Sequence, residues 1–339
     1  MTKTAGMTQK HFSLVLIALL ILSGCHSGTE ITQNDSRPEL KFSSNGTFKI
    51  AQFTDIHWNP ASENNHKTLE NIRHVIETEK PDLIVYTGDI VTRGPSLNAW
   101  IEVTAPPRDA GIPWAVTLGN HDDEHEITRN DIFDLLITLP GFVGEKGPDI
   151  SGVGNYLLEV AGANSDQTAA WIWCFDSHGY PSDKELLGSY DWIKFDQIDW
   201  YRRESAQQIS KANGKILPAL AYFHIPLPEY HLIAEAEQTL GLFEEKVCSP
   251  DVNSGLFNAF LETGDVMGMF VGHDHVNNYI GKHMGIALGY GQVSGADAYG
   301  RFPRGSRIVV LKEGERDFDT WIRTAEGTML HYNFFSGAQ

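Results

Sequence analysis

Five short runs of aspartate, histidine and asparagine each close an apolar stretch of about one strand's length. They are Asp55-Ile56-His57 after 48–53, Gly88-Asp89 after 83–87, Gly119-Asn120-His121-Asp122 after 114–118, His224 after 217–223, and Gly272-His273-Asp274-His275 after 269–271. Such a pattern constrains the chain to an open sheet whose strand ends share one edge, where these sheets assemble their sites. One histidine at a strand end carries little weight. Five runs in this order gather Asp55, His57, Asp89, Asn120, His224, His273 and His275 into one place.

Helical patterns separate the strands. Leu69, Ile72 and Ile76 share one face of a helix that Ser62 caps and Pro81 stops. Further helices are predicted around Leu97, Trp100 and Ile101, ending before Pro106, and over 127–139, 190–208 and 253–262. The tail is strand-rich at 286–290, 307–312 and 319–323. Strand–helix repeats followed by hairpin-like strands predict a layered α/β architecture with partly mixed sheets. No repeat or long linker divides the remainder, so a single domain is expected over 47–335, after a Ser-, Thr-, Asn- and Gly-rich tether over 25–46.

The N-terminus reads as a processing segment. Phe12 to Leu22 is apolar and uncharged, too short for a comfortable membrane span and of signal-peptide length. It ends in Leu22-Ser23-Gly24-Cys25, which resembles the lipobox of bacterial lipoproteins. That likeness implies a signal peptide over 1–24, a lipidated Cys25, and an extracytoplasmic protein anchored to a bacterial membrane. Cys174 lies in an apolar run and reads as a small buried hydrophobe; Cys248 lies in a loop, and no disulfide between them is expected. The formal net charge of -18 excludes a general nucleic-acid binder. An anionic substrate would need local cations to overcome that field.

The donor types suggest what those cations are. Asp and His without thiolate suit Mn, Zn or Fe. Asp55 and His57 are two apart on an expected extended segment and would face one side, and His273 and His275 repeat the spacing. Gly88 and Gly119 let backbone approach closely beside Asp89 and Asn120. Seven donors are too many for one ion. They suit two ions sharing a carboxylate, roughly 3.5–4 Å apart, a spacing that clamps a phosphoryl group.

The order DxH, GD, GNHD, H and GHDH resembles the calcineurin-like metallophosphoesterase superfamily. The runs 222–230, Val252-Asn253-Ser254-Gly255 and 272–278 are similar to the branch of purple-acid-phosphatase-like plant proteins and the yeast Dcr2 phosphatase. The likeness covers about 47–312. It implies an α/β sandwich of two mostly mixed β-sheets flanked by helices. It also implies a scheme in which one metal takes Asp55, His57 and His275, the other takes Asn120, His224 and His273, and Asp89 bridges. His121 would sit beside the substrate phosphate as a catalytic residue. Asp122 would orient the His121 ring or cap a helix. Purple acid phosphatases place Gly where His57 stands and add a Tyr after the GD; residues 88–92 offer none, so the tyrosinate–iron colour is not expected here.

The implied activity is hydrolysis of phosphomonoesters by hydroxide held at two divalent or mixed-valence transition metals. The rivals are a phosphodiesterase acting on nucleotide or lipid head groups and a non-catalytic lipoprotein that binds phosphate esters. Candidate rim residues are Asp176, His178, Asn277, Arg93, Arg301 and Arg304. Asp274, between two donors, is expected to point away and support them.

Overall fold

The apolar runs that precede the polar clusters become central strands buried on both faces, so they carry no polar alternation. The structure, a computed structural model, describes residues 1–2, 37–125 and 127–338. All the secondary structure described falls in the unit that begins at Arg37. In chain order the first elements are β1 (Leu40–Lys41), β2 (Thr47–Phe53), α1 (Asn65–Glu79), β3 (Leu83–Thr87), α2 (Ser96–Val103), α3 (Ala105–Asp109), β4 (Trp114–Thr117) and α4 (Arg129–Leu136). Next come β5 (Tyr156–Ala161), β6 (Thr168–Cys174), α5 (Lys184–Leu187), α6 (Phe195–Lys211), β7 (Ala219–Tyr222), α7 (Tyr230–Ile233), α8 (Leu256–Thr263) and β8 (Val266–Val271). The chain closes with β9 (Ile280–His283), β10 (Ile286–Tyr290), β11 (Gly305–Lys312), β12 (Phe318–Thr324), β13 (Gly327–Asn333) and β14 (Gly337–Ala338).

Two seven-stranded mixed sheets result, in the orders β1-β5-β6-β7-β8-β10-β9 and β14-β13-β12-β11-β2-β3-β4. Within the first, β6, β7, β8 and β10 run parallel; within the second, β2, β3 and β4 do. The expected class, two mixed sheets flanked by helices, is the one observed. Residues from both sheets, including Ile50, Phe53, Leu220, Phe270 and Phe318, share one core cluster, with the Phe270 and Phe318 rings 5.8 Å apart. A second cluster packs α6 and α8 on the first sheet, with Tyr201 4.9 Å from Trp173 and 5.0 Å from Phe260. Gln52 ties the sheets near the site, because its amide donates to Thr87 Oγ1 at 2.9 Å and to the Val271 carbonyl at 3.1 Å.

Several boundaries differ from expectation. Within the span expected to be a tether, Leu40 and Phe42 are buried and β1 pairs in parallel with β5; its residues 25–36 lie outside the described residues. Ser62 does not cap α1; its hydroxyl accepts from the Asn64 amide at 3.0 Å in the turn before the helix. α2 ends at Val103, before Pro106 as expected, and Pro106 and Pro107 lie in the first turn of a further helix, α3, where a missing N–H leaves no bond unmade. Of 190–208, only the part from Phe195 onward is helical. Cys174 and Cys248 are free thiols, Cys174 buried. The expected signal peptide and Cys25 lie outside the described residues. Among the described residues no helix is long and apolar enough to cross a membrane.

Candidate metal centre

The loops after β2, β3, β4, β7 and β8 meet at one edge of the two sheets, and they carry all seven sequence-predicted donors. Two groups form there. Asp55, His57 and His275 offer donor atoms within 4.8 Å of one another, and so do Asp89, His224 and His273. Asp89 reaches toward both: its Oδ2 is 3.3 Å from His224 Nε2 and 3.7 Å from His57 Nε2. In the first group His57 Nε2 lies 3.0 Å from His275 Nε2, which is 3.4 Å from Asp55 Oδ1. In the second, His273 Nδ1 lies 3.3 Å from His224 Nε2. A further grouping of Cys248, Asp274 and the same His273 also exists. There the Asp274 carboxylate already accepts from the Tyr290 hydroxyl at 2.5 Å and from the Cys248 amide at 3.2 Å.

Local backbone makes this convergence possible, and not in the way the spacing suggested. Asp55 and His57 do not lie on an extended segment; β2 ends at Phe53, and both residues are left-handed, with φ of 52° and 51°. Asp89 (φ 52°) and His273 (φ 79°) are left-handed too. Non-glycine residues held in this region cost of order 1–3 kcal/mol each and persist where surroundings over-determine them. Here the Asp55 and His57 amides donate to the Gly88 and Asp89 carbonyls at 3.1 and 2.9 Å. The His273 amide donates to both oxygens of Asp55 at 3.1 Å. His273 and His275 therefore send their rings to different groups. Gly88 meets two demands at once: its φ is +81°, and a Cβ there would collide with the His224 ring.

Electrostatics suit cation binding. Burial works to raise the Asp89 pKa, yet the positive charge of a protonated His224 or His57 ring holds it well below the usual carboxylate range. Burial pulls the His224 ring down, but Asp89 beside it prevails and lifts it to about 9. Burial lowers His57 to about 4 against Asp89, and burial with His224 lowers His273 to about 3. Those two rings are neutral near pH 7, with lone pairs to share. The Thr87 carbonyl can only accept, so His224 Nδ1, 2.8 Å away, carries a proton, and an ion at Nε2 would displace the second proton of the ring. Asn120 is 3 % exposed, and its Oδ1 has no partner, which is costly unless something fills that space. His273 Nε2 and His275 Nδ1 are also buried and unpartnered.

Asp122 neither orients His121 nor caps a helix. Its Oδ2 accepts from the Asp89 and Gly119 amides at 3.0 and 2.7 Å, and its Oδ1 from the Ile90 and Val91 amides at 2.8 and 3.0 Å. The N-cap of α4 is Thr128. Asp122 thus clamps the loop that carries Asp89 to the loop that carries Asn120. Asp122→Ala is expected to leave four buried amides unpaired, at roughly 1–3 kcal/mol each before relaxation. The denaturation midpoint should fall sharply with or without metal; an unchanged midpoint would contradict the clamp. The His121 ring instead donates from Nδ1 to Glu124 at 2.7 Å, a partner three residues on that sequence reading missed. The backbone amide of His121 donates to Asp89 Oδ1 at 2.9 Å.

The expected rim residues bond within the protein. Asp176 is fully buried, paired with Arg129 at 2.7 Å and accepting from the Val153 and His178 amides. The His178 ring meets Gln197 at 2.8 Å. Asn277 holds the backbone of Glu244 and Glu245. Arg301 pairs with Glu244, Arg304 binds the Phe302 and Ala298 carbonyls, and Arg93 donates to the Thr92 carbonyl. Aromatic rings surround the donors instead. Tyr190 meets the His273 ring at 4.4 Å, Tyr180 meets His121 at 6.4 Å, and Tyr299 stacks flat on His275 at 3.8 Å. Tyr180 lies two residues after the rim candidate His178; nothing in the local pattern marks Tyr190 or Tyr299.

The chain is 34% identical over 344 residues to Probable inactive purple acid phosphatase 29 of Arabidopsis thaliana, covering 91% of this chain and 88% of that one. It is 30% identical over 321 residues to Phosphatase DCR2 of Saccharomyces cerevisiae, covering 84% of this chain and 55% of that one. Its fold is similar to that of a dimetal phosphatase from Danio rerio, with a TM-score of 0.55 at 14% identity over 83% of this chain and 98% of that one. Residues 48–277, which contain every one of the five clusters, match the Calcineurin-like phosphoesterase family, and the chain belongs to that family.

Proposed function

We propose that the protein is a dinuclear-metal phosphoesterase that hydrolyses phosphomonoesters. Family membership supports hydrolase chemistry with a divalent metal cofactor. The observation that carries the finer reading is the place of Asp89, between two complete groups of donors. Asp55, His57 and His275 would hold one ion, Asn120, His224 and His273 the other, and Asp89 would serve both. Manganese, zinc or iron fits such nitrogen and oxygen donors. When bound, two such cations polarise phosphoryl oxygens and lower the pKa of a bound water. His121 sits at the mouth with its ring 5.8 Å from that of His57. Glu124 fixes its Nδ1, so the opposite nitrogen is the one to meet a leaving-group oxygen.

The names of the plant relatives include the word inactive. This chain keeps every donor of the scheme, which favours catalysis over a phosphate-ester-binding lipoprotein. The test is a metal count on the purified protein beside assays with p-nitrophenyl phosphate and bis-p-nitrophenyl phosphate. Faster turnover of the monoester is expected. Faster turnover of the diester supports the phosphodiesterase, and a fully metallated protein inert to both supports binding alone. The proposal includes an extracytoplasmic location with a lipid on Cys25, tested by whether Cys25→Ala leaves the membrane fraction.

A further inference from the structure

The segment between β6 and α6 places an aromatic pair, Tyr180 before α5 and Tyr190 after it, against one donor group only. Asn120 has one useful end. Its Oδ1 can bind a cation and its Nδ2 repels one, so whatever holds Nδ2 decides whether the residue is a ligand. Nδ2 donates to the Tyr180 hydroxyl at 3.0 Å, and Oδ1 is left buried and unpartnered. Tyr180 is 38 % exposed, so burial alone does not place it. Its ring stacks on Tyr190 at 6.0 Å, and the Lys184 ammonium lies 3.7 Å from its centroid. Tyr190 in turn stands edge-on to His273 at 4.4 Å. Gly179 packs so closely that a Cβ there would touch Asn120 Cα at 3.4 Å. The Arg129–Asp176 pair and the His178–Gln197 bond fix the loop from below. Neither tyrosine makes a ring or hydrogen-bond contact with Asp55, His57 or His275 among the described residues.

We infer that Tyr180, buttressed by Tyr190, is a positioning residue for the second cation alone, its hydroxyl holding the Asn120 amide with Oδ1 turned to the ion. This rests on the dinuclear reading. Tyr180→Phe keeps the ring and its stack but removes the acceptor, so the amide is free to rotate. Metal-free wild type and variant would be titrated with Mn²⁺ in equilibrium dialysis, with electron paramagnetic resonance reporting single or coupled ions.

Wild type should take two ions that couple. Tyr180→Phe should bind the first ion unchanged, which also shows that it folds. It should bind the second roughly 10–100-fold more weakly, giving a single-ion spectrum where wild type gives a coupled pair. In an Asn120→Asp background the same tyrosine change should cost little, because a carboxylate presents an acceptor at either end. The inference is overturned by unchanged affinity for both ions, by equal weakening of both, or by the same loss in the Asn120→Asp background. Wild type binding fewer than two ions would overturn the dinuclear reading itself, and this inference with it, before any variant is compared.

Discussion

Asp89→Asn is expected to lose bound metal and turnover together. The change is isosteric and leaves the shape of the loop intact. What it removes is a buried negative charge between two groups of imidazoles, 3.3 Å from His224 Nε2 and 3.7 Å from His57 Nε2. Among the described residues no other carboxylate bridges them: Asp55 belongs to the first group and is occupied by the His273 amide. The specificity constant kcat/KM should fall by roughly 10³-fold or more, about 4 kcal/mol. A second readout does not depend on activity. Bound ions stabilise the folded state by about 2.7 kcal/mol at a hundredfold excess over Kd. A chelator should therefore lower the Tm of the metallated wild type and leave that of the variant unmoved. A variant retaining two ions and wild-type turnover would remove Asp89 from the bridge.

His121→Ala is expected to do the reverse, keeping the ions and losing roughly 10²–10⁴-fold in kcat. The geometry separates this residue from the donors. Its ring is bound at Nδ1 by Glu124, and only its backbone amide touches Asp89. Glu124→Ala should release the ring and cost a smaller factor, about tenfold, with metal content again unchanged. Metal loss in His121→Ala would make it a ligand and overturn its role. Wild-type turnover in Glu124→Ala would show that the ring needs no orienting partner.

The contrast between Asp122 and Glu124 marks the limit of local pattern. Asp122 adjoins His121 in sequence, and adjacency suggested a partnership. The backbone turns there, so Asp122 points inward to four amides while His121 points outward to Glu124. The rim shows the same limit. Asp176, His178 and Asn277 are polar residues near the site that bond to neighbouring segments, because buried polar groups must be satisfied before they can serve a ligand. The rings beside the donors are tyrosines from three separate segments, Tyr180, Tyr190 and Tyr299, which carry no pattern a single sequence reveals.

Sequence alone determined the donor types, their order and their attachment to strand ends. Apolar runs long enough for one buried strand, each ending in Asp, Asn or His, permit little besides a parallel-centred sheet with its chemistry at one edge. The layered α/β class followed from that alternation. The tertiary structure decided which donor faces which. His273 and His275, two residues apart, go to different groups because His273 is left-handed and its amide is held by Asp55, a residue distant in the chain. The placing of Asp89 between the groups, the clamp of Asp122 and the grip of Tyr180 on Asn120 depend likewise on contacts between distant loops. Periodicity is a local property, and these contacts exist only once both sheets have packed.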